Sequence, residues 1–221
     1  MKKAVCVLGV LVLLATAASA ATLANWTFEV SQPATAGPFA AEAGLNAATS
    51  MASGGHAGAA TYSTPAGNGS AHSYSANTWA VGDYWQFTTS TTGYAGVTFA
   101  WDQTSSNTGP RDFVLQYSTN GTTFTQFGAQ YIVLANVAPP GTWNATTPHL
   151  EYSFTVNLAS VTALDNAPTV YIRLRDNSTV SANGGTVAVA GTDRVDNVVI
   201  SALPEPASLL LLGLGALIRR R

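Results

Sequence analysis

The middle of the chain alternates apolar and polar residues with a period of two, the pattern of half-buried β-strands. Residues 112–118 and residues 150–156 show this alternation. Residues 169–175 place three aliphatic side chains on one face and turn Arg173 and Arg175 to the other. These segments predict three strands that each bury one face.

Several shorter segments follow the same pattern and are separated by turn residues. They are residues 25–30, 83–89, 96–101, 123–127, 130–134 and 194–201, with an edge strand at 59–63. Asn120-Gly121 between two alternating segments is a strong signal for a β-hairpin. Because no stretch of the middle has a sustained helical period, the pattern predicts an all-β fold, namely a β-sandwich of jelly-roll type. Residues 32–77, rich in Ala, Gly, Ser and Thr, are predicted to form long loops.

The N-terminal end differs from this β-rich middle. Residues 1–20 begin with two lysines, continue with an apolar run and finish with Ala18-Ser19-Ala20. This order is typical of a secretory signal peptide, an apolar helix that signal peptidase removes. Small residues at Ala18 and Ala20 predict cleavage after Ala20, so that the domain of residues 21–203 is exported.

The C-terminal end has three parts: Pro204-Glu205-Pro206, a run of apolar residues from 207 to 218, and a basic terminus at Arg219, Arg220 and Arg221. The apolar run would form a helix of roughly 18 Å at ~1.5 Å per residue. A bilayer core is about 30 Å thick, so this helix is predicted to be a short or transient anchor in the inner membrane. The arginines would remain on the cytoplasmic side.

This order of motifs in residues 204–221 resembles the PEP-CTERM sorting signal. The resemblance implies that an exosortase, a membrane transpeptidase, recognises the protein as its substrate. Pro204, Glu205, Pro206 and the three terminal arginines would then be recognition residues. It also implies a bacterium that makes exopolysaccharide and biofilm, and a final location at the cell surface or in the extracellular matrix. A plain C-terminal membrane anchor is the alternative.

A second resemblance concerns the domain itself. Residues 117–121, 171–174 and 194–200 are similar to jelly-roll modules of secreted bacterial proteins. This likeness of pattern implies a fold and carries no activity.

Composition excludes several kinds of chemistry. The single cysteine, Cys6, lies in the predicted signal peptide, so the exported domain has neither a disulfide nor a thiol nucleophile. Between the two end segments, four arginines stand against ten acidic residues, a net charge of −6 without any lysine. Such a domain repels polyanions, and nucleic acid is not expected as a partner.

Catalytic patterns are missing from the sequence. The acidic residues occur singly, without the closely spaced carboxylates that a glycan hydrolase on this fold would use. His56, His72 and His149 are far apart in loop-like sequence, and no Gly-x-Ser-x-Gly motif occurs. We therefore predict that the protein is not an enzyme.

Two kinds of binding site remain as hypotheses. Trp79 and Trp143 lie beside loop sequence and are candidates for stacking on sugar rings, whereas Trp85 and Trp101 alternate with apolar residues and are predicted to be buried. Oxygen ligands for a structural Ca²⁺ could come from Asp176, Asp193 and Asp196, although their spacing is not that of an EF-hand. No other cofactor is expected.

The sequence as a whole predicts an exported surface or matrix protein with a structural or adhesive role in the exopolysaccharide layer. Signal peptidase, exosortase and exopolysaccharide are the expected partners. A carbohydrate-binding module with a defined glycan ligand is one alternative, and an unusual glycan hydrolase is another.

Overall fold

The structure, a computed structural model, describes residues 19–205. Several predictions lie outside the described residues: the signal helix with Ala18, the C-terminal apolar helix, Pro206 and the arginines at 219–221. Ala20, Pro204 and Glu205 are within the described part.

The described chain consists of twelve strands and three short 3₁₀ helices. The strands are β1 (Ala21–Trp26), β2 (Phe39–Ala40), β3 (Met51–Gly55), β4 (Tyr62–Ser63), β5 (Tyr74–Ala76), β6 (Tyr84–Thr89), β7 (Tyr94–Ser105), β8 (Asp112–Ser118), β9 (Thr125–Ile132), β10 (Ser153–Asn157), β11 (Val170–Asp176) and β12 (Asp193–Pro204). The 3₁₀ helices are Ala47–Thr49, Leu150–Tyr152 and Thr162–Leu164. Within residues 19–205, no helix has the length and apolar character needed to cross a membrane.

The strands form two antiparallel sheets of six strands each. Sheet I has the order β10-β7-β12-β5-β4, and β1 also pairs with β12. Because β7 pairs along most of one side of β12, β1 and β5 lie end to end along its other side. Sheet II has the order β2-β3-β6-β11-β8-β9. The all-β prediction is thus confirmed, and the two sheets pack as a sandwich.

The core between the sheets is dominated by aromatic side chains. Trp26, Trp85 and Trp101 are buried, as the alternation predicted for the last two. The Trp26 and Phe87 ring centroids are 5.3 Å apart, and those of Phe99 and Trp101 are 4.9 Å apart. Burial of one such side chain contributes on the order of 2–3 kcal/mol, so these rings add substantially to the stability of a domain without disulfides.

Strand boundaries follow the predictions closely where alternation is clean. Residues 112–118 form β8 and residues 169–175 lie within one residue of β11. The segment 150–156 is corrected, because its first three residues form a 3₁₀ helix and the strand starts at Ser153. The predicted strands at 123–127 and 130–134 are one strand, β9, which shifts register against β8 around Gly128, a residue with φ of +73°.

Candidate functional site

The outer face of sheet II carries a row of polar side chains that crosses five neighbouring strands. The strand register places Gln86 opposite Arg173, and Arg173 opposite Gln116. Ser53 of β3 and Gln126 of β9 extend the same row at its two ends. In β6 and β11 the residues before and after the row point into the core, so these polar side chains point outward. We call these five residues the polar row.

An arginine held between two aromatic rings lies in the centre of the polar row. The guanidinium carbon of Arg173 is 3.7 Å from the ring centroid of Tyr84 and 3.6 Å from that of Phe124. Its Nε donates a 2.8 Å hydrogen bond to Oε1 of Gln86. Two cation–π contacts and one hydrogen bond fix the guanidinium plane, which stays charged although burial lowers its pKa.

Most hydrogen-bond donors of this guanidinium have no acceptor in the described protein. A guanidinium carries five N–H donors, and within residues 19–205 only the Nε–H of Arg173 has an acceptor. The salt bridges of the described chain are His56–Asp83 and Arg111–Asp112, and neither includes Arg173. Among the outward positions of β6, β8 and β11, the one carboxylate is that of Asp112 at the start of β8, and it accepts hydrogen bonds from Arg111 and Ser178 rather than from Arg173. The face therefore presents a positive, planar donor group to solvent.

Glycines allow the aromatic rings to lie flat on the sheet. Gly55 of β3 is directly opposite Tyr84, and a Cβ atom at Gly55 would overlap the Tyr84 ring. A Cβ at Gly121 would lie 2.9 Å from Cζ of Tyr171, whose ring packs edge-on against Phe124 at 6.5 Å. Tyr84, Phe124 and Tyr171, together with the polar row, form what we call the sheet II face.

The two tryptophans that the sequence suggested as sugar-stacking residues are buried, which corrects that expectation. Trp79 is 7% exposed, and its Nε1 donates to the carbonyl oxygen of Ala76 at 2.9 Å. Trp143 is 5% exposed and packs edge-on against Tyr152. Segments that look like loops in sequence fold over the core here, because burying a large apolar ring is favourable wherever the chain allows it. Neither ring has a free face for a sugar.

The first of the three aspartates suggested for Ca²⁺, Asp193, belongs to a buried network between the sheets. Its carboxylate accepts hydrogen bonds from Trp85 Nε1 at 2.6 Å, from Gln103 Nε2 at 3.1 and 3.2 Å, and from Ser105 Oγ at 2.9 Å. Gln103 Oε1 in turn accepts from Tyr131 at 2.8 Å. Because β6 and β9 belong to sheet II, this network ties the two sheets together. Burial raises the pKa of Asp193 to about 8, against the effect of its donors.

The other two aspartates lie in different surroundings. Asp196 Oδ2 accepts from the backbone N–H of Asn68 at 2.9 Å and from Ser70 Oγ at 2.5 Å. Asp176 is 1% exposed, and its Oδ2 has no partner among the described residues. Burial is the main cause that raises the pKa of each to about 7.

The predicted Ca²⁺ ligands therefore do not meet at one point. Residues 19–205 contain no group of three or more His, Cys, Asp or Glu side chains that could hold a metal ion. Calcium needs about six to eight oxygens around it, whereas protein N–H and O–H groups already bond the carboxylates of Asp193 and Asp196. The arrangement does not fit a shared calcium site of these three residues.

One of the three histidines in loop-like sequence, His56, is buried. The side chain of His56 is 2% exposed, with Nδ1 3.4 Å from Oδ2 of Asp83. Its ring centroid is 4.4 Å from that of Trp79. Burial is the main cause that lowers the His56 pKa, and Asp83 opposes this shift. The pair is enclosed in the aromatic core, so it contacts no substrate from solution.

The described residues of the two predicted processing sites lie at the same end of sheet I. Ala20 immediately precedes β1, and Ala21 pairs with Ala202 of β12. Pro204 is still part of β12, opposite Tyr94 of β7. Both sites thus adjoin the folded sheet directly.

Comparisons with known proteins gave similarity only to solved structures. No protein-family model matches the chain, and no curated protein matches it. The K1 cleaved adhesin domain of Lys-gingipain from Porphyromonas gingivalis W83 is similar at 16% identity and a TM-score of 0.42, over 80% of this chain and 96% of that one. The family 11 carbohydrate-binding module of Lic26A-Cel5E from Clostridium thermocellum is similar at 14% identity and a TM-score of 0.40, over 85% and 96%.

A third similar structure is much larger than this chain. It is the enzymatically active domain of tailspike protein 4 from bacteriophage CBA120, with 14% identity and a TM-score of 0.39 over 70% of this chain. The present chain spans 19% of that domain. These likenesses identify no residue of this chain as functional.

Proposed function

We propose that this protein is an exported, non-enzymatic adhesin of the exopolysaccharide layer that binds acidic polysaccharide through the sheet II face. The net charge of −6 repels a polyanion at long range, so binding depends on short-range contacts with the local positive charge of Arg173. The observation that carries the proposal is the guanidinium of Arg173, which is fixed between Tyr84 and Phe124 but keeps most of its donors free. The ligand is still a glycan, as predicted from the sequence, but the proposed binding site is this face and not Trp79 and Trp143.

The chemistry of the face suits a sugar polymer. Arg173 covers one face of Tyr84 and one face of Phe124, so a pyranose ring would pack against the remaining apolar surface of these rings and against Tyr171. The amide side chains of Gln86 and Gln116 can donate to and accept from sugar hydroxyls. A guanidinium binds a carboxylate with two parallel hydrogen bonds, which favours uronic acid residues over neutral sugars. Because the polar row crosses five strands on an open sheet, it suits an extended chain better than a small molecule.

The export and sorting of the protein form the second part of the proposal. Residues 1–20 would direct export and be removed by signal peptidase, and residues 204–221 would be recognised by an exosortase. The inner membrane would hold the protein transiently through the C-terminal apolar segment before release to the surface or the matrix. The jelly-roll subtype of the sandwich belongs to the same proposal.

A glycan hydrolase is the competing function of a different class. It would need two carboxylates on either side of a glycosidic bond, whereas the outward positions of β6, β8 and β11 include only that of Asp112, which is bonded to Arg111 and Ser178. A carbohydrate-binding module with a defined ligand is the nearer alternative, and the affinity and selectivity of the sheet II face would distinguish it from a weak adhesin.

Titration of the mature protein with polygalacturonate and with a neutral β-glucan tests the proposal. We expect saturable binding of the acidic polymer, and we expect Arg173→Ala to weaken it by about tenfold or more, equivalent to ~1.4 kcal/mol. Arg175→Ala is the comparison variant, because it removes an arginine from the same strand and face, opposite Tyr84, but leaves the stacked guanidinium of Arg173 in place. Its affinity should stay within about twofold of the wild type.

Two results would contradict glycan binding at this face. One is equal affinity of the wild type and Arg173→Ala for polygalacturonate. The other is loss of all binding on addition of a chelator, which would transfer the site to a bound cation. Release of reducing sugar during the titration would instead favour the hydrolase.

A further inference from the structure

The end of β12 places the start of the predicted sorting motif inside sheet I. Leu203 lies opposite Ala95 of β7, and Pro204 lies opposite Tyr94. The next residue, Glu205, donates its backbone N–H to the carbonyl oxygen of Gly93 at 2.9 Å. The motif therefore does not follow a free linker, and its first two residues are bound to the folded domain.

The pairing with β7 occupies one edge of this peptide, the edge that a processing enzyme would need if it bound there. Enzymes that act on extended peptides commonly pair with the peptide backbone as an added strand. The backbone N–H of Glu205 is already bonded to β7, and Leu203 and Pro204 also lie alongside that strand. Recognition of the motif thus competes with the pairing of β12 and β7.

Residues 203–205 pack less tightly against the domain than the preceding residues of β12 do. Leu203 is 44% exposed, whereas Ile200 and Ala202 are buried. The pairing with β7 shifts register between Ser201 and Leu203, which separates the last residues from the regular ladder. Pro204 has no N–H and contributes no donor to the ladder. Detachment can therefore involve residues 203–205 alone and stop at Ala202.

We infer that residues 203–205 form a detachable strand end that shields the sorting motif, and that the exosortase acts only after this end separates from β7. This inference rests on the proposed sorting function and adds its regulation: the folded domain itself sets how often the motif is accessible. Because Ala202 pairs with β1 and is buried, the separation stops before the core of sheet I opens.

Hydrogen exchange on the full chain in detergent micelles tests the detachment without any enzyme. The amides of Leu203 and Glu205 should exchange about 100-fold faster than the amides of Val199 and Ile200 within the same strand. Equal and slow exchange along the whole of β12 would show that the strand opens only on global unfolding, and would overturn the inference.

A disulfide across the two strands tests the effect on processing. Ala95→Cys/Leu203→Cys introduces two directly opposed cysteines, and opposed residues of antiparallel strands have Cα atoms about 4.5–5.5 Å apart, a separation that a disulfide can span. Both positions lie outside the Pro-Glu-Pro motif, and the predicted mature domain has no other cysteine. The variant should be cleaved at least about tenfold more slowly than the wild type in a host that contains an exosortase.

Matched variants separate the possible causes. The single variants Ala95→Cys and Leu203→Cys should be cleaved at the wild-type rate, and a reductant added to isolated membranes should restore cleavage of the double variant. Leu203→Gly, which removes the side chain that packs the strand end, should be cleaved faster than the wild type.

The outcomes for sorting and for shielding can be told apart. If the wild type and the disulfide-bonded variant are cleaved equally fast, the inference that residues 203–205 shield the motif is wrong. The proposed sorting function is then still supported. If the wild type is not cleaved and Glu205→Ala behaves identically, the sorting function fails. In that case the exchange experiment still decides whether the strand end detaches.

Discussion

The cluster around Asp193 and the cluster around Arg173 each hold one ionisable group beside aromatic rings, but they differ in which partners satisfy that group. Asp193 is fully buried, and its carboxylate accepts from Trp85, Gln103 and Ser105. Arg173 lies on the outer face of sheet II and has one acceptor among the described residues.

This difference separates a stabilising site from a binding site. A buried polar group costs free energy unless the protein satisfies it, so the donors around Asp193 are needed for folding. The guanidinium of Arg173 is partly buried between two rings but has free donors on the outer face, and water can satisfy them until a ligand replaces it. Substitutions should therefore affect stability in the first cluster and affinity in the second.

The largest expected effect is that of Asp193→Ala on stability. The substitution leaves an indole N–H and an amide N–H buried without their acceptor, whereas the Ser105 hydroxyl can still donate to the carbonyl oxygen of Pro110 at 2.6 Å. It also disconnects the two sheets at this point. We expect the free energy of unfolding to fall by about 3–5 kcal/mol. Urea unfolding of the mature protein at pH 6, followed by tryptophan fluorescence, measures this change.

The matched variant in the exposed cluster is Arg173→Ala. Loss of its cation–π contacts should cost about 1 kcal/mol or less. Equal losses of stability in the two variants would mean that both clusters are structural, and the proposed binding role of the sheet II face would lose its support.

The next effect concerns the pH dependence of stability and centres on Asp176. Its pKa is raised from 3.8 to about 7, with burial as the main cause, and its Oδ2 has no partner within the described chain. The unfolded chain ionises this carboxyl at lower pH than the folded protein does. The free energy of unfolding therefore decreases as pH rises from about 4 to about 7, by up to ~1.4 kcal/mol per pH unit.

Asp176→Asn should remove this part of the pH dependence. At pH 8 the variant is expected to be more stable than the wild type by roughly 2 kcal/mol, and at pH 4 the two should be similar. Thermal unfolding from pH 4 to pH 8 measures the difference. Asp193 and Asp196, whose pKa values are also raised, keep a slope of the same sign in the variant.

Asp112 is the control, because its effect on the pH dependence of stability has the opposite sign to that of Asp176. The Arg111 guanidinium is the first cause that lowers the pKa of Asp112, so its contribution to stability is present at neutral pH and is lost as pH falls below its usual range. Asp112→Asn should thus weaken the protein at pH 7 and leave it unaffected at low pH. The same pH response in Asp112→Asn and Asp176→Asn would contradict the assignment of opposite shifts.

The sequence predicts the fold best where one face of a strand is buried and the other is wet. Residues 169–175 alternate in both sequence and burial and lie within one residue of β11, whereas residues 112–118 form β8 although their first four residues are buried on both faces. The outward direction of Arg173 was predictable for the same reason. The polar row was not, because it depends on which strands are neighbours and on their register, and neither is encoded in the period of one segment.

The interior was harder to predict than the surface. Trp79 and Trp143 follow loop-like sequence, and nothing local indicates that these segments fold back over the core. The network of Asp193 joins residues that are far apart in the chain, so its carboxylate looked like a candidate metal ligand in isolation. Single residues in irregular segments carry no periodic signal, and tertiary contacts decide their roles.

The smallest expected effect tests whether Tyr84 belongs to the binding face. A methyl group at Gly55 would overlap the Tyr84 ring, which is the flexible partner and must move away from the sheet and from the Arg173 guanidinium. Because the backbone of Gly55 has no positive φ, Gly55→Ala should change the free energy of unfolding by less than about 1 kcal/mol. The affinity for polygalacturonate should fall about threefold, since one of the two rings that fix Arg173 is displaced.

Gly58→Ala is the control for this substitution. A Cβ atom at Gly58 would meet only Cγ2 of Thr78, at an ordinary 3.4 Å, so stability and affinity should both be unchanged. If Gly55→Ala also binds as tightly as the wild type, the ring of Tyr84 does not contribute to binding. The binding surface would then consist of Arg173, Phe124 and the amides of the polar row. Phe124 and Tyr171 would be the only rings left for stacking on a sugar.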